Sequence, residues 1–156
     1  MKFIIGLAFF AGLVMPGCCS DRHNGQQAGS SPHFILLSAV KETWSAPRPG
    51  GVKRDEYFFT IKTTTADKLL FDSAWLPGNA YSLFVIKKDA PVSNEPLTYG
   101  NGDTLIVRIS AQHEQGSQSP PPFSFTGDAL LRYQVNKAQQ YFIVPKINKQ
   151  STPNNQ

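Results

Sequence analysis

The 156-residue sequence predicts an all-β domain, an antiparallel β-sandwich of immunoglobulin-like or related topology. Three observations carry this expectation. Apolar residues recur at every second position through most of the interior of the chain, the period of a strand with one buried side. Turn formers are plentiful, with 12 Gly and 12 Pro, and they fall between the alternating runs at the spacing a small sandwich needs. Nowhere does a 3.6-residue apolar period persist over the length a stable helix requires. A small closed β-barrel is the alternative that the same pattern allows.

The first strand is expected over residues 34–44, ending before the turn formers of 47–51. The second covers 57–63, where Tyr57, Phe59, Ile61 and Thr63 share one face and Phe58, Thr60 and Lys62 the other. Runs at 68–75 and 81–88 follow, separated by Pro77-Gly78-Asn79, and 91–96 breaks the second of them. In 103–112, Leu105, Val107, Ile109 and Ala111 point inward, while Thr104, Ile106, Arg108 and Ser110 point out. The run 129–136 turns Ala129, Leu131, Tyr133 and Val135 inward and Leu130, Arg132 and Gln134 outward, and pairs with 140–147 across a hairpin loop of 136–139. A short edge strand is expected at 123–126, behind three prolines that lack ladder donors. Trp44 and Trp75 are expected in or beside the core, each indole N–H with a partner.

Before these strands stands a targeting segment. Residues 1–17 carry one charge, Lys2, then an apolar run from Phe3 to Met15 that Pro16 and Gly17 break. That run is too short to cross a bilayer as a stable helix, which takes about 20 residues. Cys18 and Cys19 follow directly and are the chain's 2 cysteines. Gly17-Cys18 resembles the processing site of bacterial lipoproteins. The resemblance covers the N-terminus alone, and Met15 and Pro16 depart from the usual Leu and small residue. It implies that Cys18 is diacylated and becomes the new N-terminus, with Cys19 the alternative acceptor. It also implies a chain lipid-anchored to a membrane outside the cytoplasm, the outer membrane of a Gram-negative envelope foremost. Two acyl chains hold a protein at a membrane stably, whereas one is marginal. With both cysteines used here, a disulfide-stapled fold is excluded.

Residues 18–32 read as the lipidated cysteine and a flexible tether, able to span roughly 20 Å as coil. The folded domain is expected over 33–147, and 148–156 as a disordered tail.

The composition limits function. Formal charge is +4, from 15 Lys and Arg against 11 Asp and Glu, and loss of Lys2 with the signal leaves 14 against 11, or +3. So small an excess gives no footprint for nucleic acid. His23, His33 and His113 lie in the tether or at strand ends, and no nucleophile elbow is present. There is no metal-ligand spacing and no phosphate-cradling glycine loop, so no metal and no cofactor is expected. The most concentrated unusual stretch joins Trp44 to Arg48, Lys53 and Arg54, three cations and an aromatic beside flexible glycines, suited to an anionic ligand, a lipid headgroup or a partner protein. As a plain strand connection the same stretch needs no ligand.

The expectation is therefore a non-enzymatic binding or accessory module of the cell envelope, with an envelope protein or glycan as partner. A carbohydrate-binding module is one alternative and needs aromatics displayed on a flat face, with Trp44, Trp75, Tyr81 and Tyr99 as candidates. A small hydrolase is another, needing a spatial acidic pair among Asp55, Asp67, Asp72 and Asp128.

Overall fold

The computed structural model describes residues 27–28, 31–45, 53–77, 79–90, 99–110 and 119–151. The signal segment, Cys18, Cys19, His23, Arg48 and His113 lie outside these residues. Among these residues ten strands are formed: β1 (Gln27–Ala28), β2 (Phe34–Ser45), β3 (Lys53–Thr63), β4 (Leu69–Leu76), β5 (Asn79–Ser82), β6 (Phe84–Lys87), β7 (Thr104–Ser110), β8 (Ala129–Val135), β9 (Ala138–Val144) and β10 (Asn148–Ser151). They make two five-stranded sheets in the orders β1-β9-β8-β4-β5 and β10-β2-β3-β7-β6. Within these, β2-β3-β7-β6 and β9-β8-β4-β5 reproduce the ABED and GFCC′ sheets of an immunoglobulin-type sandwich. The predicted all-β sandwich is thus the observed architecture.

The two outermost additions are parallel. Gln27 and Ala28 lie beside Phe142 and Ile143 of β9, and Asn148–Ser151 run beside Val40–Thr43 of β2. The second pairing corrects the expected boundary at 147: four polar residues placed in a disordered tail form a strand. A polar sequence suffices there because an edge strand needs only backbone N–H and C=O groups facing a bare ladder, and Asn148, Lys149 and Gln150 are all exposed. Likewise Gln27 and Ala28, expected within the tether, are strand-paired.

The alternation placed the core correctly. Phe59, Ile61, Leu105, Val107, Ile109, Ala129, Leu131, Tyr133 and Val135 are all buried. At the centre stands Phe34, wholly buried, with ring centroids of Phe142, Tyr133 and Phe71 at 4.9, 5.2 and 5.5 Å. These tilted and edge-on contacts suit the aromatic quadrupole. Thr63 is buried at the same end of the core, and its hydroxyl donates to the Gly100 carbonyl oxygen, with the Asp103 carbonyl oxygen also within reach.

Four sequence expectations need correction. Leu130 faces outward as its parity requires but is buried there, because the 119–125 segment crosses the outer face of its sheet and covers Trp75, Leu130 and Ile143 with Phe123 and Phe125. That segment has no regular structure, so no edge strand forms at 123–126. Its seal is the Trp75 indole N–H donating to the Ser119 carbonyl at 3.2 Å. The single run at 81–88 divides at Leu83, sending β5 to one sheet and β6 to the other. The β8–β9 loop is two residues long, Asn136 and Lys137, with φ of 50° and 68°, the left-handed pair of a type I′ turn.

Gly127 permits the close approach of that covering segment to β9. A Cβ there would stand 2.6 Å from Ile143 Cγ2 and 2.7 Å from the Val144 carbonyl oxygen. Next to it, the Asp128 N–H donates to the Val144 carbonyl and the Asp128 carboxylate accepts from Ile147 N–H at 2.7 Å, fixing the crossover into β10.

A candidate interaction surface

The outward positions of β2, β3, β7 and β6 form one face of the second sheet. Cross-strand register sets Trp44 beside Arg54, Val40 beside Phe58, Phe58 beside Arg108, Ile86 beside Ile106, and Arg108 beside Phe84. Six large apolar side chains among the described residues are strongly exposed, and five of them belong to these strands: Ile35, Leu37, Trp44, Phe84 and Ile86, with Leu70 the exception on β4. Singly exposed apolar residues are ordinary, but concentration on one sheet face marks a contact surface.

Its organising group is Glu56. Glu56 is 9% exposed, and its Oε1 accepts a hydrogen bond from Arg108 Nη2 at 2.9 Å and lies 3.1 Å from Arg54 Nε. Each guanidinium also covers a ring: Arg54 stands 5.0 Å from the Trp44 centroid and Arg108 5.8 Å from that of Phe58. One carboxylate thus holds two planar cations against two aromatic faces. Arginine suits this role because its fork can meet a carboxylate and stack on a ring at once. Trp44 is 47% exposed, which corrects its expected place in or beside the core. The reason is parity: Trp44 pairs with Arg54 on the outward set, and β2 and β3 run on beyond the last β3–β7 pair, Glu56 and Ser110.

The inward side of the same extension is polar. Lys41 Nζ reaches Asp55 Oδ2 at 2.7 Å, Thr43 donates to Asp55 Oδ1 at 2.7 Å, and Lys41 lies 5.6 Å from the Tyr57 ring centroid. Burial pushes the Asp55 carboxyl up, but the hydrogen bonds from Lys41 and Thr43 outweigh it and leave the group below its ordinary value. The Asp55 hydrogen bond correspondingly raises Lys41.

Of the sequence-predicted contact residues, Trp44 and Arg54 are brought together, Lys53 opens β3 opposite Ser45 beside them, and Arg48 lies outside the described residues. Glu56, Phe58, Arg108, Phe84 and Ile86 complete the surface. The signal for them was present as apolar exceptions in the outward sets, Phe58 and Ile106 above all.

The aromatics needed for a glycan platform are dispersed. Trp75 is buried under the 119–125 segment, and Tyr81 and Tyr99 pack against the core, so Trp44 alone of the four is displayed. The four carboxylates considered for hydrolysis sit on separate elements, each holding a structural partner. Asp55 pairs with Lys41, Asp67 accepts from Thr65 in a turn, Asp72 takes Arg132 at 2.6 Å, and Asp128 takes the Ile147 N–H. No group of three potential metal ligands is found among the described residues, and no helix of the described residues is long and apolar enough to cross a membrane. No family model matches the chain, and no curated protein or solved structure matches it significantly.

Proposed function

We propose that the chain is a lipid-anchored extracytoplasmic module of the bacterial envelope that binds a partner protein through the outer face of its β2-β3-β7-β6 sheet, without catalysing a reaction. The lipoprotein-like Gly17-Cys18 start supports the anchoring. The observation that carries the binding role is the clustering of Trp44, Phe84, Ile86, Arg54 and Arg108 on one face. Tryptophan and arginine are the side chains that dominate protein interfaces energetically, and here each arginine is held by Glu56 and a ring before any partner arrives. Pre-ordering lowers the entropy lost on association.

The test has two stages. Intact mass of the membrane-fraction protein, compared across wild type, Cys18→Ser and Cys19→Ser, reports the anchor; a diacylglycerol-sized mass lost in Cys18→Ser alone is the expected result. A photoreactive residue at position 44 should then capture one protein that a photoreactive residue at Leu70, equally exposed on the other sheet, leaves free. Equal capture from both positions would refute the assigned face.

A further inference from the structure

The four outermost strands of the two sheets are not treated alike. On one side of the sandwich the chain lays its own terminal strands along β9 and β2. On the other side the sheets end at β5 and β6, to whose outer edges no described strand is bonded. An uncovered edge is a template for another strand, and small proteins usually cover or blunt it.

The backbone groups that β6 offers follow from its register. Lys88 N–H donates to the Thr104 carbonyl at 2.9 Å. Bonded and non-bonded positions alternate along an antiparallel ladder, so Phe84 and Ile86, opposite Arg108 and Ile106, also turn their N–H and C=O groups toward β7. Val85 and Lys87 turn theirs outward. Lys87 C=O accepts from Ala90 N–H at 3.3 Å and keeps its second lone pair. Between the two outward residues stands Ile86, 49% exposed, and before them Phe84, 56% exposed.

We propose that two copies of the chain pair antiparallel through β6, with Ile86 opposite Ile86 of the second copy. In this register Val85 of each copy exchanges both backbone hydrogen bonds with Lys87 of the other, so each outward group finds a partner under a single two-fold axis. The neighbouring registers do not manage this. Centring on Lys87 opposes two ammonium groups, and centring on Val85 opposes Lys87 to Leu83, which lies outside any strand. Side chains fit the same axis: Ile86 meets Ile86 at a non-bonded pair, where side chains come closest, and Phe84 faces Lys88, an aromatic against a cation. Lys87 itself is held by Asp103 at 2.8 Å on its own subunit, so its charge is matched before pairing. The product is one continuous sheet carrying both contact faces on the same side. The pairing needs neither the anchor nor the partner proposed above, although Phe84 and Ile86 belong to both surfaces.

The experiment is disulfide trapping of the full-length chain in membranes, in a Cys19→Ser background. Ile86→Cys should give a covalent dimer on mild oxidation, and Ile35→Cys, equally exposed on the same face, should stay monomeric. Ile86→Lys should halve the mass found by chemical crosslinking, while Ile35→Lys leaves it doubled; resistance to protease confirms that both fold. A monomeric Ile86→Cys, equal trapping at 35 and 86, or an Ile86→Cys adduct to a different protein with no homodimer beside it would each overturn self-pairing.

Discussion

Replacing Phe34 by alanine tests the packing at its most concentrated point. The ring is wholly buried and touches three others at centroid distances of 4.9 to 5.5 Å. Truncation of a buried phenylalanine costs about 3–5 kcal/mol, and Phe34 belongs near the upper end because three aromatic contacts worth roughly 0.5–1.5 kcal/mol each vanish with it. A domain of this size is stable by roughly 5–15 kcal/mol, so the variant should remain folded at 25 °C with its midpoint lowered by about 12–20 °C, at around 4 °C per kcal/mol. Urea unfolding followed by tryptophan fluorescence reads the change through Trp75, and the denaturant slope should not move. Phe84→Ala is the matched control: its ring is 56% exposed and the loss should stay within about 0.5 kcal/mol. Equal losses for the two variants, or a loss below about 1.5 kcal/mol for Phe34→Ala, would refute the assignment of Phe34 to the centre of the core.

Four further outcomes are expected. Glu56→Ala removes the shared anion of Arg54 and Arg108, whose side chains are about one-third exposed, and should cost about 1 kcal/mol in urea unfolding while abolishing capture from position 44. Gly127→Ala drives a methyl into Ile143 and the Val144 carbonyl and should cost about 1–3 kcal/mol, with Trp75 emission shifting to the red as the covering segment lifts. Lys137→Gly relieves a left-handed side-chain-bearing residue in the β8–β9 turn and should stabilise by about 0.5–1 kcal/mol in thermal melts. Stability should be level near neutral pH and fall at both ends. The Asp55 and Asp103 carboxyls sit below their ordinary 3.8, so their contribution is present above about pH 4 and lost as pH drops through the lowered values; Lys41 sits above its ordinary 10.5, so its contribution is lost only as pH rises beyond that. Lys41→Met should flatten both limbs in pH-dependent melts, and an acid limb unchanged in that variant would contradict the Lys41–Asp55 pairing.

Strand parity made most of the fold legible. Phe59, Leu105 and Tyr133 could be set facing the core because a pleated strand leaves them no other side. At Leu130 the parity held but the burial was not legible, since alternation identifies a face and not what lies across it, and the segment covering Leu130 has no period of its own. It was also silent on 148–151, where pairing runs through the backbone and leaves no apolar mark. The contact surface was half legible. Trp44 and Arg54 stood out as an aromatic and a cation near a loop, but their link to Arg108 runs through Glu56, 52 positions earlier in the chain, and only the sheet order β2-β3-β7 brings it about.

The parallel strand β10 sets the order in which the domain can be completed. Asn148 meets Val40 across 148 − 40 = 108 positions, whereas β2 and β3 join as a hairpin of near neighbours in the chain. Long-range closure is slow compared with hairpin formation, and β10 leaves the ribosome after β2 and β3. Through early folding the edge of β2 therefore stands bare, with Leu37 and Trp44 along it. A chaperone or a nascent neighbour meets that edge before the chain's own last strand does. Cleavage ahead of Asn148 would return the protein to that state, so β10 acts as a closing latch whose removal should show first as aggregation, not as unfolding.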